Sequence, residues 1–526
     1  MKTEIQIEIE QQLRTSPTSA YLYSDLGDCL LESNPAQAYL CYENAAFFCE
    51  DDNTRGWFKS KMRSVAERHG AVPKAAIVIL SYNLQEYTQN CIESIRETTP
   101  VSAREIIVVD NASSDGSVEY LKSQSDIILQ VNTENSGFPG GCNLGICLAQ
   151  PDSDIFLLNN DTVMCENTLF WLRMGLYEED YHGTVGCASN FVGNDQNIAP
   201  LGRDIDFYKD FARKNDVPND HALEYKTYLV GFALLIKRKV MNLIGMLDEN
   251  FFPGNYEDND YGLRVLQAGY ENVFVRNSFL VHFGSKSFGK VIARTNVLGR
   301  NQHYLEIKYG EPVAHYMHIT HELIQVANYL DDIPENAKVL EINCGLGENL
   351  LRMKYDHPGW DVHGADRHRM AELFAARHHM VKVKRIREYA DILENEATYD
   401  LILLYMDDIP GAELRTIMKC VRLSLKKGGS VAIILTNPRY FMNWSPRMVN
   451  GDPGYNTVFV STDEVNESIK FAGLTWQRTL TDFAFTQPNN FGEKSKAAIE
   501  TLPEEDGKAC YIRSYGIVAK LLYFEI

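Results

Sequence analysis

Three short apolar runs, each closing on a polar or acidic residue, restrict this chain more than anything else in it. Residues 74–80 end in Ser81-Tyr82-Asn83, residues 105–109 end in Asp110, and residues 155–158 end in Asn159-Asn160-Asp161. A helical segment over residues 84–96 separates the first two runs. Strand, helix and strand with short connections give a parallel sheet, because the crossover must return the chain to the same edge. Such a sheet presents ligands at the carboxyl ends of its strands. Acids at those ends, with the isolated His282 after the run 278–281, are residue types that hold a divalent cation and, through it, a phosphorylated ligand.

The loops after these strands fit that chemistry. Asp110 runs into Asn111-Ala112-Ser113-Ser114-Asp115-Gly116-Ser117, a turn-rich stretch suited to a nucleotide. A further strand over 127–131 leads to a loop from Asn135 to Gly145, whose four glycines permit close backbone approach to a ligand. Residues 251–264 read Phe-Phe-Pro-Gly-Asn-Tyr-Glu-Asp-Asn-Asp-Tyr-Gly-Leu-Arg, with three carboxylates in four positions. Acids at a helix start also favour the dipole, so a plain solvated helix N-terminus is the competing reading of Glu257, Asp258 and Asp260.

At 526 residues the chain is long enough for two or three cores. Acidic residues outnumber basic ones 71 to 51, for a formal net charge of −20, which argues against a nucleic-acid partner. The 11 cysteines include no Cys-x-x-Cys pair and read as reduced thiols of a cytoplasmic protein. The N-terminus has no basic-then-apolar signal pattern, and no apolar run approaches the roughly 20 residues of an integral membrane segment.

Residues 1–72 carry helical periodicity. Leu26-Gly27, Ala38, Tyr42 and Ala45, with Pro35 between two helices, resemble one degenerate tetratricopeptide repeat. A helical cap on the next domain and a module for a protein partner are both open readings.

Ser81-Tyr82-Asn83, the Asp110 to Ser117 loop, the Asn135 to Gly145 loop, Leu158 to Asp161, Gly231 to Ile236, Gly245 to Glu249, Glu257 to Tyr261 with Arg264, and His282 together resemble an inverting family 2 glycosyltransferase with a GT-A fold, over residues 74–310. Within that family the likeness is greatest to the branch of bacterial rhamnosyltransferases of surface polysaccharides. The resemblance implies a nucleotide-sugar donor bound by Ser81, Tyr82, Asn83, Asp110, Asn135, Gly137, Asn143 and Asn160. It implies Mn²⁺ or Mg²⁺ on Asp161 and His282, and a glycan or glycoprotein acceptor activated by Asp258, with Glu257 as alternative or neighbour. It also implies a cytoplasmic site of action, including the inner membrane face. The chain departs from the family's Asp-x-Asp element at Asn159, so one anionic ligand fewer stands at the metal.

In the last third, Glu341-Ile342-Asn343-Cys344-Gly345-Leu346-Gly347 follows a strand, and a second strand ends in Asp366. With Tyr399 to Leu404 and Leu425 to Gly429 these resemble a class I methyltransferase, with S-adenosylmethionine on Glu341, Gly345, Gly347 and Asp366. Asn343 stands where that family has its first glycine. The expected architecture is multidomain α/β: helices over 1–72, a GT-A nucleotide-sugar domain over 73–310, a helical linker over 311–333 and a Rossmann-like methyltransferase domain over 334–526. A bifunctional enzyme leads; a glycosyltransferase with a degenerate second domain, and a scaffold for glycan assembly, stand as alternatives.

Overall fold

The computed structural model describes residues 2–202, 204–284, 296–394, 397–406, 409, 413–436, 462–480 and 514–520. The chain forms two units, Met1–Ala314 and His315–Ile526. The first begins with helices α1 (Glu4–Thr15), α2 (Ala20–Leu30), α3 (Pro35–Phe48) and α4 (Asp52–His69). Asn34 caps α3 by accepting from the Gln37 amide at 3.1 Å, with Pro35 at the first helical position. Asp51 caps α4 in the same way, through Thr54 at 2.7 Å.

The sheet follows: β1 (Ala75–Ser81), α5 (Gln85–Thr98), β2 (Arg104–Asp110), α6 (Ser117–Lys122), β3 (Ile127–Val131), α7 (Gly137–Leu148), β4 (Asp154–Asn159), β5 (Thr162–Met164), α8 (Thr168–Leu176) and β6 (His182–Ser189). Then come α9 (Ile205–Asn215), β7 (Leu223–Lys226), β8 (Ala233–Ile236), α10 (Arg238–Ile244), α11 (Glu257–Gln267) and β9 (Glu271–His282). Strand order is β3-β2-β1-β4-β8-β6-β9-β5, with β7 also on β9. β3, β2, β1 and β4 are parallel; the Ile, Val and Leu runs of β1, β2 and β4 are buried on both faces, while the edge strand β3 is half-exposed. Register pairs Ser81 with Asp110 and Leu80 with Asn159, so the three polar strand ends fall in one row. At the far edge, antiparallel pairing of β5 with β9 sets Thr162 opposite His282, which brings Asp161 to the histidine.

The first four helices do not form a domain of their own. Leu13, Tyr23, Leu40, Tyr42 and Phe58 share one core with Ile77 and Ile79 of β1 and Leu172 of α8. Glu43 of α3 and Arg173 of α8 form an ion pair, each 3% exposed, and Arg173 also donates to the Pro73 carbonyl at 2.9 Å. Gly27 lies so close to Tyr42 that a Cβ would stand 2.6 Å from the ring, the contact on which the repeat-like spacing rests. The boundary expected at residue 72 is therefore a change of composition inside one packed unit.

In the second unit β10 (Lys338–Ile342), β11 (Asp361–Asp366), β12 (Lys382–Arg385), β13 (Tyr399–Tyr405), β14 (Leu425–Thr436), β15 (Thr475–Leu480) and β16 (Ser514–Lys520) form a sheet of order β12-β11-β10-β13-β14-β16-β15. β16 is antiparallel to both neighbours, and the first five strands in that order are parallel. The order reverses between β10 and β13, so the glycine turn after β10 lies at the topological switch point. The helix His321–Tyr329, expected in a linker, belongs to this unit, with Leu323 and Val326 fully buried.

Candidate active site

The strand ends of β1 and β2 are sewn together by side chains. Asp110 is fully buried; its two oxygens accept from the Ser113 amide at 2.9 Å and the Ser113 hydroxyl at 2.5 Å. Ser113 Oγ in turn accepts from the Asn83 amide at 2.7 Å, and Asn83 Oδ1 accepts from the Ser114 amide at 2.8 Å. Asn83 and Leu84 take left-handed backbone angles of 54° and 61°, which turn the chain sharply into α5. Ser81 is buried, with its Oγ 3.3 Å from the Thr88 hydroxyl, while the Tyr82 ring stays exposed. Asp110, expected to meet a nucleotide base, thus also caps its own loop, with one hydrogen bond accepted on each oxygen.

The glycine loop turns on a residue that sequence reading passed over. Asn111 donates to Asn135 Oδ1 at 2.9 Å and to the Gly137 carbonyl at 3.3 Å. Its own Oδ1 accepts from the Ser136 amide at 2.9 Å and the Ser136 hydroxyl at 3.0 Å. Asn135 accepts from the Gly137 amide at 2.9 Å. Gly137, at φ +73°, leaves no room for a Cβ, which would stand 2.8 Å from the Phe252 ring. Asn143, expected at the nucleotide sugar, is tied to residues 247–249: its amide nitrogen donates to the Leu247 carbonyl and to Glu249 Oε1, both at 2.9 Å, and its oxygen accepts from the Leu247 amide at 3.1 Å. Those bonds fasten α7 to the segment before α11.

Asp161 and His282 do meet. His282 Nε2 lies 3.2 Å from Asp161 Oδ1, and both residues are buried. Nδ1 makes a 2.7 Å contact with the Phe191 carbonyl, an acceptor only, so Nδ1 carries the proton in the neutral ring. The Nε2 lone pair then faces a carboxylate oxygen with no hydrogen bond of its own. Two buried acceptors side by side are what a cation resolves, so these residues fit Mn²⁺ or Mg²⁺. Neighbouring Asn160, also buried, donates to the Thr88 hydroxyl at 2.9 Å, on the α5 side.

The acids of α11 reach the same centre through the two residues before β8. The Gly231 amide donates to Asp258 Oδ2 at 2.9 Å. Next to it, the Phe232 ring stacks on His282 with centroids 5.0 Å apart, and the Phe232 carbonyl accepts from the Asn159 amide at 2.8 Å. Burial pushes both acids up. Glu257 is held well above the usual carboxylate range by desolvation and then by the Asp258 charge, and its Oε2 has no hydrogen-bond partner. Asp258 is raised too, but the Gly231 and Asn259 amides oppose that rise. Of the adjacent pair, Asp258 is the one whose carboxylate accepts from two backbone amides.

In the second unit Gly345 and Gly347 take φ of +55° and +91° after β10. Asn343 sits at φ +64°, a left-handed conformation that asparagine tolerates, which explains its standing in a glycine's place. Asp366, expected at a ribose, bonds to the neighbouring backbone. It is fully buried, with Oδ2 accepting from the Gly345 amide at 2.7 Å and Oδ1 accepting from the His368 amide at 2.7 Å. Tyr316 packs against Gly345, where a Cβ would stand 2.7 Å from its ring. Glu341 is buried, accepts from Asn349 at 2.7 Å and is pushed up to about 8 by desolvation. Each Asp366 oxygen thus accepts from one backbone amide, and the Tyr316 ring lies against the turn.

Residues 76–240 match the glycosyl transferase family 2 model, and this part of the chain is a glycosyl transferase family 2 domain. The chain is 27% identical over 255 residues to the uncharacterized glycosyltransferase YfnE of Bacillus subtilis, covering 40% of this chain and 64% of that relative. It is 22% identical over 238 residues to glycosyltransferase AglE of Haloferax volcanii, covering 44% and 73%. Among solved structures, the mannosyltransferase PcManGT of Pyrobaculum calidifontis with GDP-Man and Mn²⁺ aligns at 18% identity and a TM-score of 0.31, over 49% of this chain and 71% of that one. A SAM-dependent methyltransferase from Methanosarcina mazei aligns at 17% identity and a TM-score of 0.27, over 38% and 98%.

Proposed function

We propose that the unit carrying the family 2 domain moves a sugar from a nucleotide-sugar donor to a glycan or glycoprotein acceptor, with inversion at the anomeric carbon. The observation that carries this reading is the Gly231-Phe232 segment, whose amide holds the Asp258 carboxylate while its ring backs His282. One pair of residues thus joins a basic carboxylate to a cation-holding pair. Asp161 and His282 would hold Mn²⁺ or Mg²⁺, which when bound neutralises charge building on the departing diphosphate. Asp258 takes the proton of the acceptor hydroxyl. That oxygen bonds to the anomeric carbon as the bond from carbon to the diphosphate oxygen breaks on the opposite face, and the electron pair leaves with the nucleoside diphosphate. Glu257, which burial holds well above the usual carboxylate range, orients its neighbour.

The test is turnover of a panel of nucleotide sugars, hydrolysis included, with and without chelator. Turnover that is lost in chelator and in Asp161→Ala is the expected result. Full activity in excess chelator removes the metal from the mechanism, and no turnover of any nucleotide sugar rejects the function.

For the second unit we favour the reading without methyl transfer, since Asp366 and Gly345 are bonded to each other and covered by Tyr316. Equilibrium titration of the whole chain with S-adenosylmethionine tests this. No saturable binding at millimolar cofactor is expected, and micromolar binding would restore the bifunctional reading.

A further inference from the structure

We infer that Asn190 is a positioning residue for the cation site, holding His282 so that its Nε2 lone pair points at Asp161; the inference rests on the metal reading of Asp161 and His282 given above. The parallel ladder between β6 and β9 ends at Ser189 opposite Leu280. Beyond it the side chain of Asn190 replaces the missing strand. Its Oδ1 accepts from the His282 amide at 2.8 Å, and its Nδ2 donates to the His282 carbonyl at 3.1 Å. A side-chain amide bonded to both polar groups of one residue's backbone fixes that residue at two points.

The next residue supplies the third. The Phe191 carbonyl accepts from His282 Nδ1 at 2.7 Å, and that bond selects the ring tautomer with a free Nε2. Phe191 is itself carried by Asn190, and its ring packs on the backbone of Gly284, two residues past His282, where a Cβ would lie 2.2 Å away. Asn190 therefore sets the histidine's backbone directly and its ring through the following carbonyl. A polar partner that orients a ligand histidine commonly alters metal affinity by 10- to 100-fold when removed.

The experiment measures Mn²⁺ affinity of the full chain from the free-ion electron paramagnetic resonance signal, with inorganic pyrophosphate as the phosphate probe. Asn190→Ala should weaken Mn²⁺ binding about 10- to 100-fold. The double variant with His282→Ala should bind no more weakly than His282→Ala alone, since Asn190 acts on the cation only by placing the His282 ring. Gly284→Ala reaches the same carbonyl by pushing the Phe191 ring away, and should weaken binding comparably with Asn190 intact. It decides the matter if Asn190→Ala proves unfolded. Wild-type affinity in Asn190→Ala, or losses that add in the double variant, would overturn the inference while leaving the metal site standing. If the wild type binds no Mn²⁺, or His282→Ala binds it equally well, the metal reading falls and this inference with it.

Discussion

Glu257 and Asp258 have the same chemistry and adjacent numbers, and burial raises both, yet their hydrogen-bond surroundings differ. The Gly231 amide, donated from 27 residues upstream, opposes the rise at Asp258. Asp258→Asn keeps the shape and removes the base, so single-turnover transfer should fall by about 10²–10⁴ while donor affinity measured by titration stays near wild type. Loss of transfer in Glu257→Gln with Asp258→Asn still active would exchange their roles. Three carboxylates in four positions are plain in the sequence; their different surroundings are not, because the amide that distinguishes them comes from the turn before β8. Glu341 yields a second prediction at this scale. Its folded value of about 8 stands above the 4.5 of an ordinary glutamate. The unfolded chain therefore releases this proton first as pH rises. Stability from the protonated group is fully present below about 4.5 and is lost progressively up to about 8, by on the order of a few kcal/mol. Glu341→Gln retains the acceptor for Asn349, so it should flatten that part of the profile and stabilise the protein at pH 8. Denaturant melts of both proteins at pH 5 and 8 measure the difference, and equal slopes would mean that the buried carboxyl does not titrate there.

At the scale of elements, α7 lies against β1 closely enough that its glycines are obligatory. A Cβ on Gly145 would stand 2.3 Å from Val78 Cγ1, and one on Gly141 would stand 2.3 Å from Leu80 Cδ1. Gly145→Ala should cost about 1–3 kcal/mol by overpacking, read as a shift in the denaturation midpoint. It should also weaken donor binding, because α7 carries Gly137 at its start. An unchanged midpoint would show that the helix can ride up without loss. The glycines of this loop were expected to serve a ligand, and part of their work is helix packing. Strand positions were legible because unbroken Ile, Val and Leu runs bounded by turns leave few alternatives. The expected third strand over 127–131 coincides with β3 (Ile127–Val131). Side-chain partners of loop polar residues were not legible. Asn143 and Asn111 look alike in sequence, and only the approach of Leu247 and Glu249 to one, and of Asn135 and Ser136 to the other, distinguishes them.

For the molecule as a whole, the composition break at Pro73 is where sequence and structure part most clearly. A helical stretch followed by a β-rich one reads as two domains, since periodicity reports which face of an element is apolar and not which neighbour covers it. Here the neighbour is the sheet unit itself, through the shared core and the Glu43–Arg173 pair. Arg173→Met leaves the Glu43 charge buried and uncompensated, and should destabilise the first unit by about 3–5 kcal/mol. Adding Glu43→Leu removes that orphan charge and should recover most of the loss, so the double variant melts nearer the wild type than either single one. Deleting residues 2–72 goes further, because it strips Tyr23, Leu40, Tyr42 and Phe58 from a core that β1 and α8 cannot close alone. That variant should be insoluble or lack a cooperative transition for the transferase unit. A folded, donor-binding product would mean instead that the N-terminal helices are a detachable module, free to dock a protein partner.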